Sequence, residues 1–198
     1  SKVMIHGLQG RVIREAWKDE PASWGQIEEE AAGLLGAVDV TAIPVSDSAG
    51  RRREALDLVE QLRAVAGQDY SKSLFSHPRT ADALAHALWY ATEFGNPQAA
   101  VSLSDAVDLL AKTLGPDRPR TLASRNNLAG AYRSAGRLKQ AIDLHEQNLA
   151  DRERILDPNH PDILASRNNL ANAYQDAGKW SERSPLDLGR VSSRDRIG

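Results

Sequence analysis

The sequence predicts an all-α fold, with antiparallel helix-turn-helix repeats stacked as a right-handed α-solenoid and additional helices on the N-terminal side. The first observation is an internal repeat: residues 122–129 and 164–171 both read LASRNNLA, an offset of 42 residues. Over the wider window 114–138, 15 of 25 residues recur unchanged 42 positions later. A fixed period of this length is typical of stacked repeat units that bury a shared core.

The second observation is that each repeat contains two segments with helical spacing of apolar residues. Residues 121–134 form the first segment, which we name helix A, and residues 138–156 form a longer amphipathic segment, helix B. The third observation is that residues typical of helix ends flank these segments. Pro119 suits the start of a helix, where an N–H has no intrahelical partner, and Gly136 suits the left-handed residue that ends one. These observations predict two antiparallel helices in each repeat.

The repeat divides the chain into three predicted regions. The array covers residues 79–180, with a degenerate unit at 80–120, a clean unit at 121–162 and an incomplete unit at 163–180. Gly95 and Gly136 are 41 residues apart, one short of the period, so the register of the degenerate unit stays open. Residues 1–78 do not show the 42-residue repeat. Three helices are predicted there, at 8–18, 24–35 and 51–66, with a long loop at 38–50. Residues 181–198 are predicted to be an irregular tail.

The last unit is predicted to lack its helix B. Carrying the period forward places Arg183 and Pro185 where Ala141 and Asp143 stood. A proline inside a helix costs about 3 kcal/mol or more, and a buried seam does not accept arginine in place of alanine. The final helix A therefore meets the folded-back tail, another copy of the chain by self-association, or further repeats of a longer array.

Composition excludes several functional classes. The chain has 198 residues, a formal net charge of −2 and a sequence pI near 6.2, so it lacks the basic excess of a nucleic-acid-binding protein. It has no cysteine, no apolar run of the roughly 20 residues that a membrane helix needs, and no signal-peptide pattern, which predicts a cytoplasmic protein without a membrane partner. Its five histidines show no metal-ligand spacing and no catalytic set appears, which predicts a non-enzymatic protein with no metal and no cofactor.

Helix A ends in Asn-Asn-Leu-Ala-x-Ala-Tyr, and x-x-Ala-Gly, Leu-x-x-Ala-Ile-x-Leu-x-Glu and a proline-containing link follow. This pattern resembles the tetratricopeptide repeat, in the long 42-residue variety of kinesin light chains and bacterial regulatory tetratricopeptide proteins. The resemblance covers residues 79–180. It implies a scaffold for protein-protein interaction that binds a peptide or protein segment in a concave groove lined by A helices.

The resemblance also implies which residues line the groove. An asparagine amide offers a donor and an acceptor together and can pair with a peptide backbone. The expected groove residues are Asn126, Asn127, Arg133, Asn168, Asn169, Asn172 and Gln175. The alternative is that each asparagine pair is structural, with one member bonded to the neighbouring repeat and the other solvated. Tyr132 and Tyr174 are expected to pack between helices.

A second function remains open at this point. Tetratricopeptide arrays of this kind often follow a nucleotide-hydrolysing module, so the resemblance also allows a sensor or regulatory arm of a nucleotide-dependent (STAND-like) signalling switch protein. Residues 1–78 would then be a hinge to that module instead of a helical cap for the array.

Overall fold

The computed structural model describes residues 24–44, 46–67 and 71–178, and every regular element within these ranges is helical. The all-α prediction is therefore confirmed. None of the described helices is both long and apolar enough to cross a membrane. The predicted helix at 8–18 and the tail at 181–198 lie outside the described residues. The α-helices are α1 Trp24–Gly36, α2 Ser48–Ala66, α3 Ser71–Ser76, α4 Pro78–Glu93, α5 Pro97–Val101, α6 Ser104–Leu114, α7 Pro119–Ser134, α8 Leu138–Ile155 and α9 Pro161–Asp176, with a 3-10 helix at Val40–Ala42.

The three A helices, α4, α7 and α9, share one design. Each has 16 residues and begins with a proline, namely Pro78, Pro119 or Pro161. Each is followed by a glycine with positive φ, at 77° for Gly95, 75° for Gly136 and 68° for Gly178. Because glycine has no Cβ, it adopts this left-handed conformation without strain, and after α4 and α7 it lets the chain reverse into helix B.

Two histidines, His77 and His160, have a structural role at the starts of these helices. The Nδ1 atom of His77 accepts a hydrogen bond from the backbone N–H of Arg79 at 3.2 Å. The Nδ1 atom of His160 accepts one from the N–H of Asp162 at 3.1 Å. Each imidazole thus satisfies a backbone donor that has no partner within its helix.

The hairpins stack side by side and bury most of their apolar side chains in two clusters, and a third, minor one contains Val40, Ala55 and Tyr90. The main core runs through α1 to α7 and contains Leu62, Phe75, Leu84, Leu88 and Leu110, so it continues across residue 78 without a break. A smaller cluster lies between α8 and α9 and contains Ile142, Leu149, Ile163, Leu170 and Tyr174. Tyr132 packs against the main core and Tyr174 lies in the small cluster, as expected.

The structure resolves the register of the degenerate unit. Its helix B is broken into α5 and α6 at Ser102 and Leu103. From the start of α5 to the end of α6, the buried positions are 100, 101, 103, 106, 107 and 110, against 141, 142, 145, 148, 149 and 152 in α8. The offset is thus 41 residues before the break and 42 after it. A missing residue turns the following helix by about 100°, and the break restores the buried face.

Helix α8 has buried polar residues at positions where α6, and Leu103 just before it, have apolar ones. His145, Asn148 and Arg152 occupy the places of Leu103, Ala106 and Leu110. The Asn148 side chain donates to the carbonyl of Leu122 at 3.1 Å. One terminal nitrogen of Arg152 donates to the Asp162 carbonyl at 2.9 Å and to the Ser166 hydroxyl at 2.8 Å. These bonds tie α8 to the A helices on both sides of it.

The predicted loop at 38–50 is shorter than expected. The segment contains the 3-10 helix and ends where α2 begins, at Ser48. The Asp47 side chain caps α2 by accepting a hydrogen bond from the N–H of Gly50 at 2.8 Å. The Arg51 side chain donates to the carbonyl of Ile43 at 2.8 Å and fastens the segment to α2. The short helix α3 was not predicted, because six residues are too few to show helical periodicity.

Candidate functional site

The candidate site is the solvent-facing side of α4, α7 and α9, which we name the A surface. Equivalent positions follow from counting each helix from its proline. Positions two, five, nine, twelve and sixteen form one stripe per helix that is exposed or half-exposed. The stripes are Arg79, Asp82, His86, Trp89 and Glu93 in α4, then Arg120, Ala123, Asn127, Gly130 and Ser134 in α7, then Asp162, Ala165, Asn169, Asn172 and Asp176 in α9.

Side-chain bonds join α4 to α7 across this surface. The amide of Asn127 donates to the backbone carbonyl of Ala85 at 2.9 Å, 42 residues away. The Arg120 guanidinium contacts the Asp82 carboxylate through two nitrogens, at 2.7 and 3.2 Å. Asn127 therefore uses its donor to hold neighbouring repeats together and keeps its side-chain oxygen available.

A second set of bonds joins α7 to α9. The amide of Asn169 donates to the side-chain oxygen of Asn126 at 2.9 Å. The Arg133 guanidinium lies 3.6 Å from the Asp176 carboxylate. Because each bond links equivalent faces of successive repeats, these four residues fix the spacing of the A helices.

The remaining expected groove residues lie together on α9. Asn168, Asn172 and Gln175 are exposed, and none of their side chains makes a hydrogen bond within the described part of the chain. They occupy positions eight, twelve and fifteen, which face the same side of a helix. The structure thus places all seven expected residues on or beside the A surface and separates them into bonded and unbonded groups.

Beneath the A surface lies a titratable group that is neutral in the fold. His145 on α8 is only 3% exposed. Burial, together with the nearby charges of Arg133 and Arg152, lowers the pKa of His145 from 6.5 to about 4. Burial also lowers the pKa of Arg152, which is buried on the same face of α8 as His145. No group of three or more metal-ligating side chains comes together among the residues that the structure describes.

Trp89 and Glu93 are two of the A-surface residues that lie outside the expected set. Trp89 occupies position twelve of α4, which Gly130 and Asn172 hold in α7 and α9, and Glu93 occupies position sixteen. The degenerate repeat hides this equivalence, since Ala85 and His86 replace the asparagine pair. Aligning the three prolines at the helix starts is the signal that would have revealed it.

Comparison with known proteins supports the reading of the repeats. The sequence model of the tetratricopeptide repeat family matches residues 121–162 and 163–187. The predicted resemblance to the tetratricopeptide repeat is thus confirmed for these two segments. No curated protein sequence matches the chain.

Two similar solved structures belong to a putative kinesin light chain from Podosopora anserina with nearly identical TPR-like repeats. The first is 25% identical with a TM-score of 0.49, and the alignment covers 98% of this chain and 95% of that one. The second, a single-substitution variant, is 26% identical with a TM-score of 0.49, covering 94% of this chain and 90% of that one.

Proposed function

We propose that the chain is a non-enzymatic scaffold for protein-protein interaction that binds a peptide or protein segment along a groove on the A surface. The observation that carries the proposal is the group of unbonded amides on α9, namely Asn168, Asn172 and Gln175. Their exposed donors and acceptors match those of a peptide backbone. The match to tetratricopeptide repeats supports it, because such repeats present extended binding surfaces.

The bonded residues have a supporting part in this proposal. Asn126, Asn127, Asn169 and Arg133 hold adjacent A helices at a fixed spacing. A surface that is rigid before binding loses less entropy when it receives a ligand. The free side-chain oxygen of Asn127 adds one acceptor to the groove.

The proposal is tested by selecting peptides from a randomised library on the native chain and measuring their affinity for variants. The groove variant combines Asn168→Ala, Asn172→Ala and Gln175→Ala. The matched control combines Gln140→Ala and Gln147→Ala, which remove exposed amides from α8. We expect the groove variant to lose at least about tenfold in affinity, since each neutral hydrogen bond contributes roughly 0.5–1.5 kcal/mol. Equal affinity for the groove variant and the control would refute the groove assignment.

We propose as a second function that the chain self-associates through α9. The observation in favour is Leu164, which is 53% exposed although its equivalent Leu122, within the same octapeptide, is only 3% exposed. Analytical ultracentrifugation over a concentration series tests this, with Leu164→Glu as the variant and Leu34→Glu, another exposed leucine, as the control. A chain that stays monomeric at every concentration contradicts self-association. The regulatory arm of a nucleotide-dependent switch stays a prediction.

A further inference from the structure

Trp89 presents an unusually large exposed ring on the A surface. The side chain is 48% exposed. On its inner side the indole meets Tyr90 in a T-shaped arrangement with ring centroids 4.9 Å apart, and Tyr90 stacks on Phe94 at 5.9 Å with only 4° between the rings. Tyr90 itself is buried with Val40 and Ala55. The buried Tyr90 ring therefore supports the indole, while part of the indole faces solvent.

Glu93 lies one helical turn after Trp89 on the same face of α4. It is exposed and is the last residue of the helix. Its carboxylate forms neither an ion pair nor a hydrogen bond within the described part of the chain. The C-terminal end of a helix carries partial negative charge, so a cation is favoured beside Glu93.

The ion pairs of the A surface leave two of its carboxylates unpaired among the described residues. The three arginines of this surface are already paired, Arg79 with Glu29 at 3.1 Å, Arg120 with Asp82 at 2.7 Å and Arg133 with Asp176 at 3.6 Å. The carboxylates of Glu93 and Asp162 make no such pair among the described residues. From α2, Arg52 approaches the turn at Gly95, but it makes no ion pair with Glu93. The ligand charge that complements this surface is positive.

Gly130 leaves room for a ligand beside this pair. It holds position twelve of α7, and the bond between Asn127 and Ala85 sets α7 against α4 one turn earlier. Glycine is a poor helix former, yet apart from the adjoining residues and backbone of α7 itself, no atom lies within 4 Å of the place that a Cβ on Gly130 would take. Packing among the described residues therefore does not require it, and the space above it is open.

We propose that Trp89 and Glu93 form a subsite for an arginine or lysine side chain of the bound peptide. The cationic head lies over the indole face and pairs with the Glu93 carboxylate, while the peptide backbone passes over Gly130. This inference rests on the proposed function, since it names one side chain of the ligand that the A surface binds.

The test uses matched peptides of Gly and Ser that differ only at a central residue, which is arginine, norleucine or glutamate. Binding is followed by NMR through the Trp89 indole N–H and the backbone amides of Glu93 and Gly130. We expect the arginine peptide to bind the native chain at least about threefold more tightly than the norleucine peptide. Glu93→Gln and Trp89→Leu are each expected to weaken the arginine peptide by about two- to fivefold. The control Asp108→Asn removes an exposed carboxylate from α6 and should leave the affinity unchanged.

The outcomes separate this inference from the proposed function. If library-selected peptides depend on the α9 amides but show no preference for arginine or lysine, and both α4 variants bind them normally, the subsite is wrong and the scaffold proposal stands. A preference for norleucine would make Trp89 an apolar anchor and also overturn the basic subsite. If no peptide binds the chain at all, both proposals fail. Circular dichroism of each variant checks that the exposed substitutions leave the helices intact.

Discussion

At the scale of single residues, the two copies of the octapeptide show how far a side chain depends on its neighbours. Asn126 accepts a hydrogen bond from Asn169, whereas its equivalent Asn168 is exposed and unbonded within the described residues. Leu122 is buried and Leu164 is not. Identical local sequence gives the same helix, but the next repeat decides which atoms are covered. Both uses of asparagine weighed from the sequence, groove and inter-repeat contact, thus have candidates in one structure.

Also at this scale, we predict that His145 makes the fold sensitive to acid. Its pKa is 6.5 when exposed and about 4 in the fold, so the folded state favours the neutral imidazole. The stability that depends on a neutral His145 is fully present above pH 6.5, and it is lost as the pH falls from 6.5 through about 4. From the size of the pKa shift, the loss is roughly 3 kcal/mol. Urea unfolding of the native chain and His145→Leu between pH 7 and 4 should show the smaller fall for the variant, because leucine occupies the equivalent place at residue 103.

The control for this prediction is His86→Gln, which removes an exposed histidine from the A surface. It should follow the native pH profile. Parallel profiles for His145→Leu and the native chain would mean that acid acts through other groups.

At the scale of helices, the sequence predicted most of the fold because its signals were local. The paired prolines and glycines set the limits of the A helices to within about two residues. The predicted groove set followed instead from the resemblance to the tetratricopeptide repeat. What could not be predicted depended on contacts between helices. The break between α5 and α6 arises because a missing residue must be absorbed where the buried face would otherwise turn away from the core, and Trp89 was hidden by the same irregular repeat.

The break leads to a prediction at this scale. Inserting one alanine after Ser102 restores the 42-residue spacing of the buried positions, so we expect α5 and α6 to join into one helix. Helix content by circular dichroism should rise, and the free energy of unfolding should not fall. The matched insertion after Ile142 in α8 should instead turn His145, Asn148 and Leu149 away from their neighbours, at a cost of at least about 3 kcal/mol. Similar loss of stability from both insertions would refute this account of the break.

At the scale of the whole molecule, stability is expected to be uneven along the array. The main core joins residues from α1 to α7, whereas α9 contributes to the separate small cluster with α8. In a stacked array each unit is stabilised by its neighbours, and a unit with a small shared cluster opens before one that lies in the main core. We therefore expect α9, the helix of the A surface that carries the free amides, to open more readily than α4 and α7.

Leu128 and Leu170 give a direct test, since they hold the same position in α7 and α9 and are 4% and 0% exposed. Leu128 lies in the main core, so Leu128→Ala should lower the free energy of global unfolding by about 2–5 kcal/mol. Leu170 lies in the small cluster, so Leu170→Ala should act mainly by opening α9. Hydrogen exchange measured helix by helix should show lower protection throughout the chain for the first variant and in α8 and α9 alone for the second. Uniform loss of protection in both variants would mean that the two clusters unfold as one unit, and α9 would then be as rigid a part of the A surface as α4.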